Sequence, residues 1–192
     1  MKFDVYNGND TLRFVLGKTG SNPLAIFGIN PSKADQCSSD TTINRVEELI
    51  KVWPFDGFLM FNLYPLRNSK PSELSQNFDQ ALAAQNMATI RVALKKYRVK
   101  CAWAAWGDAF EKRSYFKNYL GEILSGTADL GLEWKRCETL TKKFKNPRHP
   151  LSGRPHIITR KSQLADFDIE NYLRLGKKFN RSNFGKSSAG SL

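Results

Sequence analysis

The chain has 192 residues, of which 41% are hydrophobic and 12% aromatic, enough to bury one sizeable core, which excludes a disordered or fibrous protein. The formal net charge of +12 favours a nucleic-acid partner, because Lys and Arg release the counterions that phosphates condense. No run reaches the roughly 18 apolar residues of a membrane span, and the three cysteines are too widely spaced for a zinc or iron–sulfur site. We therefore expect a cytoplasmic monomer without a cofactor, a metal or a membrane contact.

The first third of the chain predicts a hairpin and then strands in alternation with helices. The turn-forming tetrad Asn7-Gly8-Asn9-Asp10 separates two strand-like pieces and predicts a peripheral hairpin over residues 1–20. The apolar runs 24–28 and 58–63 predict two buried strands. Between them, Asp40 precedes apolar residues at helical spacing and predicts an N-cap.

The rest of the chain continues this alternation. We predict helices over 72–97, 108–120 and 163–175, and strands over 99–106 and 134–140. Strands alternating with helices favour parallel βαβ units. The expected fold is therefore α/β, with three α/β/α layers around a central, mainly parallel four-stranded sheet. Residues 1–175 form one domain in this prediction. The Gly/Ser/Asn/Lys-rich residues 176–192 form a disordered basic tail.

Four predicted strand ends carry polar motifs, and a parallel sheet gathers such ends at one edge, where ligands bind. The motifs are Gly28-Ile29-Asn30-Pro31-Ser32, Phe61-Asn62-Leu63, Trp106-Gly107-Asp108-Ala109 and Arg148-His149-Pro150-Leu151-Ser152. In this order they resemble the uracil-DNA glycosylase superfamily, whose mismatch-specific members carry Gly-Ile-Asn-Pro. They also resemble an uncharacterised bacterial and phage branch with Asn-Pro-Ser-x-Ala-Asp and Arg-His-Pro-Leu signatures. The resemblance implies a glycosylase-like fold and a monofunctional DNA glycosylase, which cleaves the N-glycosidic bond of a flipped base and leaves an abasic site.

The resemblance also implies roles for individual residues. Asn30 would orient the attacking water, and Asn62 would read the base. The chemistry of the residues adds that His149 can stabilise the departing base as negative charge develops on it. Asp35 and Asp40 follow Asn30 closely and are catalytic candidates, since Asn30 itself cannot take a proton from water. Both are also plausible as caps without a catalytic role.

The identity of the base depends on Ser32, which stands where uracil enzymes of the resembled superfamily carry a Tyr that blocks the pyrimidine 5-position. Together with Ile29 and Asn62, Ser32 would form the base-recognition set. The smaller side chain leaves room for a polar substituent. We therefore expect a 5-modified pyrimidine, such as the hydroxymethylated or glucosylated cytosine of phage DNA, and a role in anti-phage defence.

Contacts to DNA are expected from basic residues and from the turn that follows His149. The candidates are Lys33, Arg67, Lys70, Lys145, Arg148, Leu151, Ser152 and Arg154. Three alternatives stay open: a repair glycosylase for uracil or mismatched bases, a non-catalytic DNA-binding module, and an enzyme or binding protein for a free nucleoside or nucleotide. The sequence does not distinguish single-stranded from duplex DNA as the partner.

Overall fold

The computed structural model describes residues 2–68, 70, 74–153 and 155–174. Their strands form one seven-stranded mixed sheet in the order β1-β2-β4-β3-β5-β6-β7. The strands are β1 (Val5–Gly8), β2 (Arg13–Lys18), β3 (Pro23–Gly28), β4 (Gly57–Asn62), β5 (Cys101–Ala104), β6 (Glu133–Cys137) and β7 (Leu164–Asp166).

The sheet corrects the fold predicted from the sequence. The predicted four-stranded, mainly parallel, uracil-DNA glycosylase-like sheet is wrong, because the sheet has seven strands and three of its six pairings are antiparallel. The internal strands β4, β3, β5 and β6 pair in parallel. The hairpin is a part of the sheet as well, since β2 pairs with β4 through Leu16–Met60 and two further residue pairs. At the other edge, β7 forms where the sequence predicts the start of a helix.

Three α-helices with both ends in the described residues cover the two faces of this sheet. They are α1 (Thr41–Ile50), α2 (Gln80–Lys96) and α3 (Phe116–Thr127). Residues 169–174 are also helical, within the predicted helix over 163–175. Helix α1 packs through Ile43, Val46 and Leu49 in a core cluster with Trp103. Helices α2 and α3 belong to the core cluster on the opposite face, where they pack with Phe27 and the other side chains that the central strands present on that face. Because the central strands bury side chains on both faces, they are apolar throughout rather than alternating.

Aspartate side chains cap the N-termini of α1 and α2. The carboxylate of Asp40 accepts from the Ile43 N–H at 2.9 Å and caps α1, which confirms the predicted N-cap. Asp79 caps α2 in the same way through the Leu82 N–H. The predicted helix over 108–120 is divided into a 3₁₀ turn, Gly107–Lys112, and α3. Within the described part of the chain, no helix is both long and apolar enough to cross a membrane.

Candidate functional site

A cavity opens at the carboxyl ends of β3 and β4, where the two strands lie side by side with Gly28 opposite Asn62. The cavity has a volume of about 40 Å³, room for a few water molecules, and it opens to solvent. Its lining comes from β2, β3, the loop before α1, the start of α1, β4 and the turn at residue 149. The lining residues are Arg13, Gly28, Ile29, Asn30, Ser32, Asp40, Thr42, Ile43, Met60, Asn62 and His149.

Asn62 is the most unusual of these residues. It is 1% exposed, and neither its Oδ1 nor its Nδ2 has a hydrogen-bond partner in the described structure. Behind it, the buried Asn86 of α2 donates to the backbone carbonyls of Asn62 and Leu63 at 3.0 and 2.9 Å. The backbone of Asn62 is therefore held firmly, while its buried amide has no hydrogen-bond partner among the described residues.

The glycine opposite Asn62 packs closely against this amide. A Cβ added to Gly28 would lie 3.0 Å from Asn62 Oδ1 and 2.8 Å from the Met60 methyl group. A larger residue at position 28 would therefore displace the Met60 or the Asn62 side chain.

His149 enters the cavity as a neutral imidazole. The Leu151 N–H donates to its Nδ1 at 3.2 Å, so the proton of the neutral ring lies on Nε2, which is then a hydrogen-bond donor. Burial lowers the pKa of His149 to about 4, although the negative charge of Asp40 acts in the opposite direction. At neutral pH the ring therefore donates a hydrogen bond without carrying a charge.

The backbone around His149 is fixed by Gly107. The Gly107 N–H donates to the Pro147 carbonyl at 2.8 Å. Gly107 has a φ of +63°, and an added Cβ would lie 3.0 Å from His149 Cβ. The close approach and the left-handed backbone both require glycine here.

A polar network around a buried asparagine supports the chain just before His149. Asn146, which is 1% exposed, donates from Nδ2 to Asp108 and Glu111, both at 3.3 Å. Its Oδ1 accepts from the Tyr172 hydroxyl at 2.7 Å, and Asp108 also accepts from Thr141. Each polar group of the Asn146 amide has a partner, in contrast to Asn62. We therefore assign this network a structural role.

Asp40 and Asn30 both line the cavity, but other contacts limit what they can do. Asp40 accepts from the backbone N–H groups of Ile43 and Ala34, at 2.9 and 3.4 Å. Asn30 Nδ2 donates to the carbonyls of Asn68 and Pro31, at 2.5 and 3.2 Å. The amide nitrogen of Asn30 thus holds the loop, which leaves its Oδ1 as the atom that can accept from a water molecule. A carboxylate keeps further acceptor sites after two hydrogen bonds, so Asp40 can still accept a proton or a hydrogen bond.

Arg13 is the charged cavity residue that sequence reasoning missed, along with the uncharged Thr42, Ile43 and Met60. It lies in β2 and is only 2% exposed, although the hairpin containing it was expected to be peripheral. Its Nη1 donates to the Ala34 carbonyl at 3.0 Å. The available signal was a charged residue between apolar neighbours in a strand pattern, Leu12-Arg13-Phe14-Val15-Leu16. A charged side chain in such a strand becomes buried when the strand lies inside a sheet rather than at its edge.

Of the predicted site residues in the loop before α1, some line the cavity and others do not. Ile29 and Ser32 line the cavity, whereas Asp35 and Lys33 are outside its lining. Asp35 accepts from the N–H groups of Cys37 and Ser38, both at 2.8 Å, and these hydrogen bonds lower its pKa, Cys37 contributing most. The geometry of Asp35 is that of a turn cap, so we leave it out of the proposed chemistry.

The residues predicted to contact DNA differ in how exposed their side chains are. Lys33, Lys70 and Lys145 are exposed. Arg67 is half-buried and donates to the Lys33 carbonyl and the Tyr6 hydroxyl, at 3.1 and 3.3 Å. Arg148 is 8% exposed and donates from Nε to Thr139 at 2.9 Å, which is a structural contact rather than a phosphate-facing one.

The turn after His149 is ordered by its own backbone. Ser152 donates its N–H to the His149 carbonyl at 2.9 Å, and the side chains of Leu151 and Ser152 are half-buried. Arg154 and residues 175–192, which include the predicted basic tail, lie outside the described residues. Within the described residues, no group of three His, Cys, Asp or Glu side chains is placed to hold a metal ion.

Comparison with protein families gives one match over this region. A family model described as "Protein of unknown function (DUF1643)" matches residues 13–151. The chain belongs to this family. The match begins at Arg13 and ends two residues after His149, so every residue that lines the cavity falls within the DUF1643 segment.

DUF1643 membership corrects the resemblance stated from the sequence. DUF1643 is not a uracil-DNA glycosylase family, so the assignment to that superfamily is wrong. The four motifs that suggested it are short, and the fourth, which contains His149, does not lie at a strand end, because β6 ends at Cys137. No curated protein and no solved structure matches the chain.

Proposed function

We propose that the protein binds a nucleobase of DNA in the cavity at β3 and β4 and hydrolyses its N-glycosidic bond. The observation that carries this proposal is the buried amide of Asn62, whose oxygen and nitrogen both lack partners among the described residues. Leaving such a group unsatisfied costs about 1–3 kcal/mol. A ligand that presents one donor and one acceptor side by side would remove this cost, and the edge of a nucleobase presents that pair.

The reaction breaks the bond between C1′ of the sugar and the base nitrogen, with the electron pair leaving on the base. Water supplies the oxygen that joins C1′, and its proton ends on the base. The His149 Nε2–H is suited to donate to a base oxygen as negative charge develops there. Asp40 is suited to stabilise the positive sugar and to take the proton of the water, while Asn30 Oδ1 helps to orient that water.

DNA is the favoured carrier of the base because of where the exposed cations lie. Leu140 and Pro147 form a bridge that closes a short loop, and the exposed Lys142, Lys143 and Lys145 occupy that loop immediately before the His149 turn. Phosphates held there would be close in the chain to the catalytic imidazole. The base must be flipped to enter, at a cost of a few kcal/mol.

Entry also requires a movement of the protein. Asn62 Oδ1 and Nδ2 each expose less than 1 Å², so a base edge reaches them only after the side chains at the cavity mouth shift. The half-buried Ser32 and Thr42 are part of this lining. We infer that the cavity of the free protein is partly closed and opens when the base binds.

The polar part of the lining favours a base with a hydrophilic substituent. Ser32, Asp40 and Thr42 supply hydroxyl and carboxylate groups that can hydrogen-bond a hydroxymethyl or sugar group. We propose 5-hydroxymethylcytosine and its glucosylated form as the substrates to test first, with defence against phages that carry them as the biological role. Uracil is the competing substrate.

The test is an abasic-site assay on matched DNAs that carry cytosine, uracil, thymine, 5-hydroxymethylcytosine or glucosylated 5-hydroxymethylcytosine. We expect cleavage of a modified cytosine, and a loss of about 10²-fold in rate in Asn62→Ala, by analogy with removing one well-placed hydrogen-bonding group. Asn44→Ala is the matched control, since Asn44 is exposed on α1. Release of uracil alone would contradict the modified-base substrate. Binding of DNA without any abasic sites would contradict hydrolysis and favour the non-catalytic module.

A further inference from the structure

Arg13 is buried without the partners that a guanidinium normally has. Its one side-chain hydrogen bond among the described residues runs from Nη1 to the Ala34 carbonyl at 3.0 Å. A guanidinium carries five N–H donors, and Nε in particular is covered and has no acceptor in the described part of the chain. Most of the donor capacity of Arg13 is therefore unused, in a side chain that is 2% exposed.

The charge of Arg13 is also uncompensated at close range. In the described parts of the chain, no Asp or Glu oxygen lies within ion-pair distance of its guanidinium. Burial lowers the pKa of Arg13 to about 10. The negative charge of Asp40, which lies farther away, acts in the opposite direction and raises that pKa. At neutral pH the side chain is still protonated. A buried cation without a counter-ion is costly unless a bound group supplies the charge.

Arg13 shares the cavity wall with Asn62 and His149, so a bound ligand would meet all three. We propose, building on the function proposed above, that Arg13 is a ligand-binding residue of this site and receives an oxygen atom of the substrate that carries negative charge. The planar fork of a guanidinium suits such an oxygen better than an ammonium group does. In the proposed reaction this oxygen belongs to the departing base, which takes the electron pair of the broken bond. A phosphate oxygen of the DNA has the same chemistry, and the experiment distinguishes the two.

A purely structural role would require fewer N–H donors of Arg13 than ligand binding does. Holding the Ala34 carbonyl takes one N–H, which a lysine at position 13 also supplies. Receiving a charged oxygen with the remaining N–H groups takes the whole fork. The Arg13→Lys variant therefore separates the two roles, because it keeps the charge and a donor and removes the fork.

The experiment is a titration of the full ¹⁵N-labelled chain with three probes: uracil, cytosine and inorganic phosphate. The Arg13 Nε–H resonance is followed by NMR, and the affinities of the parental chain, Arg13→Lys and Arg13→Met are compared. Arg91→Met is the control, since Arg91 binds Asp129 and the Gly126 carbonyl far from the cavity lining. We expect a free base to shift the resonance, and both Arg13 variants to bind that base at least tenfold more weakly.

Each result decides the proposal. A shift with phosphate alone, together with weaker DNA binding in the variants, would assign the oxygen to the DNA backbone instead of the base. No shift with any probe would overturn the proposal, as would parental affinity for every probe in both variants. If a variant does not fold, the resonance of the parental chain still gives the answer.

The same data separate this inference from the proposed function. Base binding that depends on Arg13, without abasic sites on any DNA, would reject hydrolysis and keep the role of Arg13. Abasic sites formed at the parental rate by Arg13→Lys and Arg13→Met would keep hydrolysis and reject the role of Arg13.

Discussion

The imidazole of His149, which lines the cavity, should make the stability of the folded protein depend on pH. Its pKa is lowered to about 4 by burial, compared with about 6.5 in an unfolded chain. Between these two values the unfolded state binds more protons than the folded state, so acidification favours unfolding. Only the neutral ring, present from about pH 5 upwards, has the hydrogen-bonding pattern that the cavity needs.

We predict that the free energy of unfolding falls by up to about 3 kcal/mol between pH 6.5 and pH 4 because of this single group. The loss should be absent from the His149→Gln variant, in which position 149 cannot titrate. The check is urea denaturation of both proteins from pH 4 to pH 7.5. An identical pH dependence in the two proteins would show that His149 is not buried as a neutral ring.

The rate of base release should report the same pKa. If neutral His149 is the donor to the base, the single-turnover rate stays constant through pH 6.5 and falls only when the ring becomes protonated near pH 4. A rate that declines above pH 6 as the ordinary imidazolium is lost would instead require a charged donor. The measurement is a pH–rate profile on the cleaved DNA.

At the level of structural elements, His149 lies between β6 and β7, in a segment whose described residues, 138–153 and 155–163, form no helix or strand beyond the Leu140–Pro147 bridge. The Asn146 network and the Gly107–Pro147 hydrogen bond hold this segment against the end of β5. A loop that long depends on such buried polar contacts, because it has no sheet ladder to satisfy its backbone.

We predict that Asn146→Leu lowers the free energy of unfolding by about 1–2 kcal/mol, because the half-buried Asp108 and Tyr172 each lose a hydrogen-bond partner. Tyr172→Phe, which removes one hydroxyl, should cost about 1 kcal/mol. Asn118→Ala, on the exposed side of α3, is the control and should change little. Chemical denaturation measures all three. A neutral Asn146→Leu would mean that the network does not hold the turn.

The elements show which parts of the fold were accessible from the sequence. Apolar runs and the Asp40 cap located β3, β4, β5 and α1 to within a few residues, because these signals are local. Strand pairing is not local, so the sequence did not reveal that β2 joins β4 inside the sheet. The same limit explains Arg13, whose role depends on that pairing. Asn62 could be singled out, because a polar residue at the end of a buried strand needs a partner.

At the scale of the whole molecule, the net charge of +12 should make DNA binding depend strongly on salt. Each phosphate neutralised on duplex DNA contributes about 0.9 to the slope of log affinity against log salt concentration. We predict that the combined replacement of Lys142, Lys143 and Lys145 by Gln reduces this slope by about 2–3. The control is Lys51→Gln, at the C-terminal end of α1. A slope that does not respond to the triple replacement would place the DNA elsewhere on the surface.

The cavity draws its walls from segments that lie at opposite ends of the matched region, Arg13 at one end and His149 at the other. No fragment shorter than residues 13–149 contains the whole lining, and any partial unfolding that releases the β1–β2 hairpin removes Arg13 from it. A bound ligand therefore stabilises the entire cooperative unit, and the melting temperature rises with ligand concentration by mass action. Thermal denaturation of the intact chain in the presence of nucleobases, nucleosides and nucleotides then becomes a search for the natural ligand that needs no assumption about the reaction.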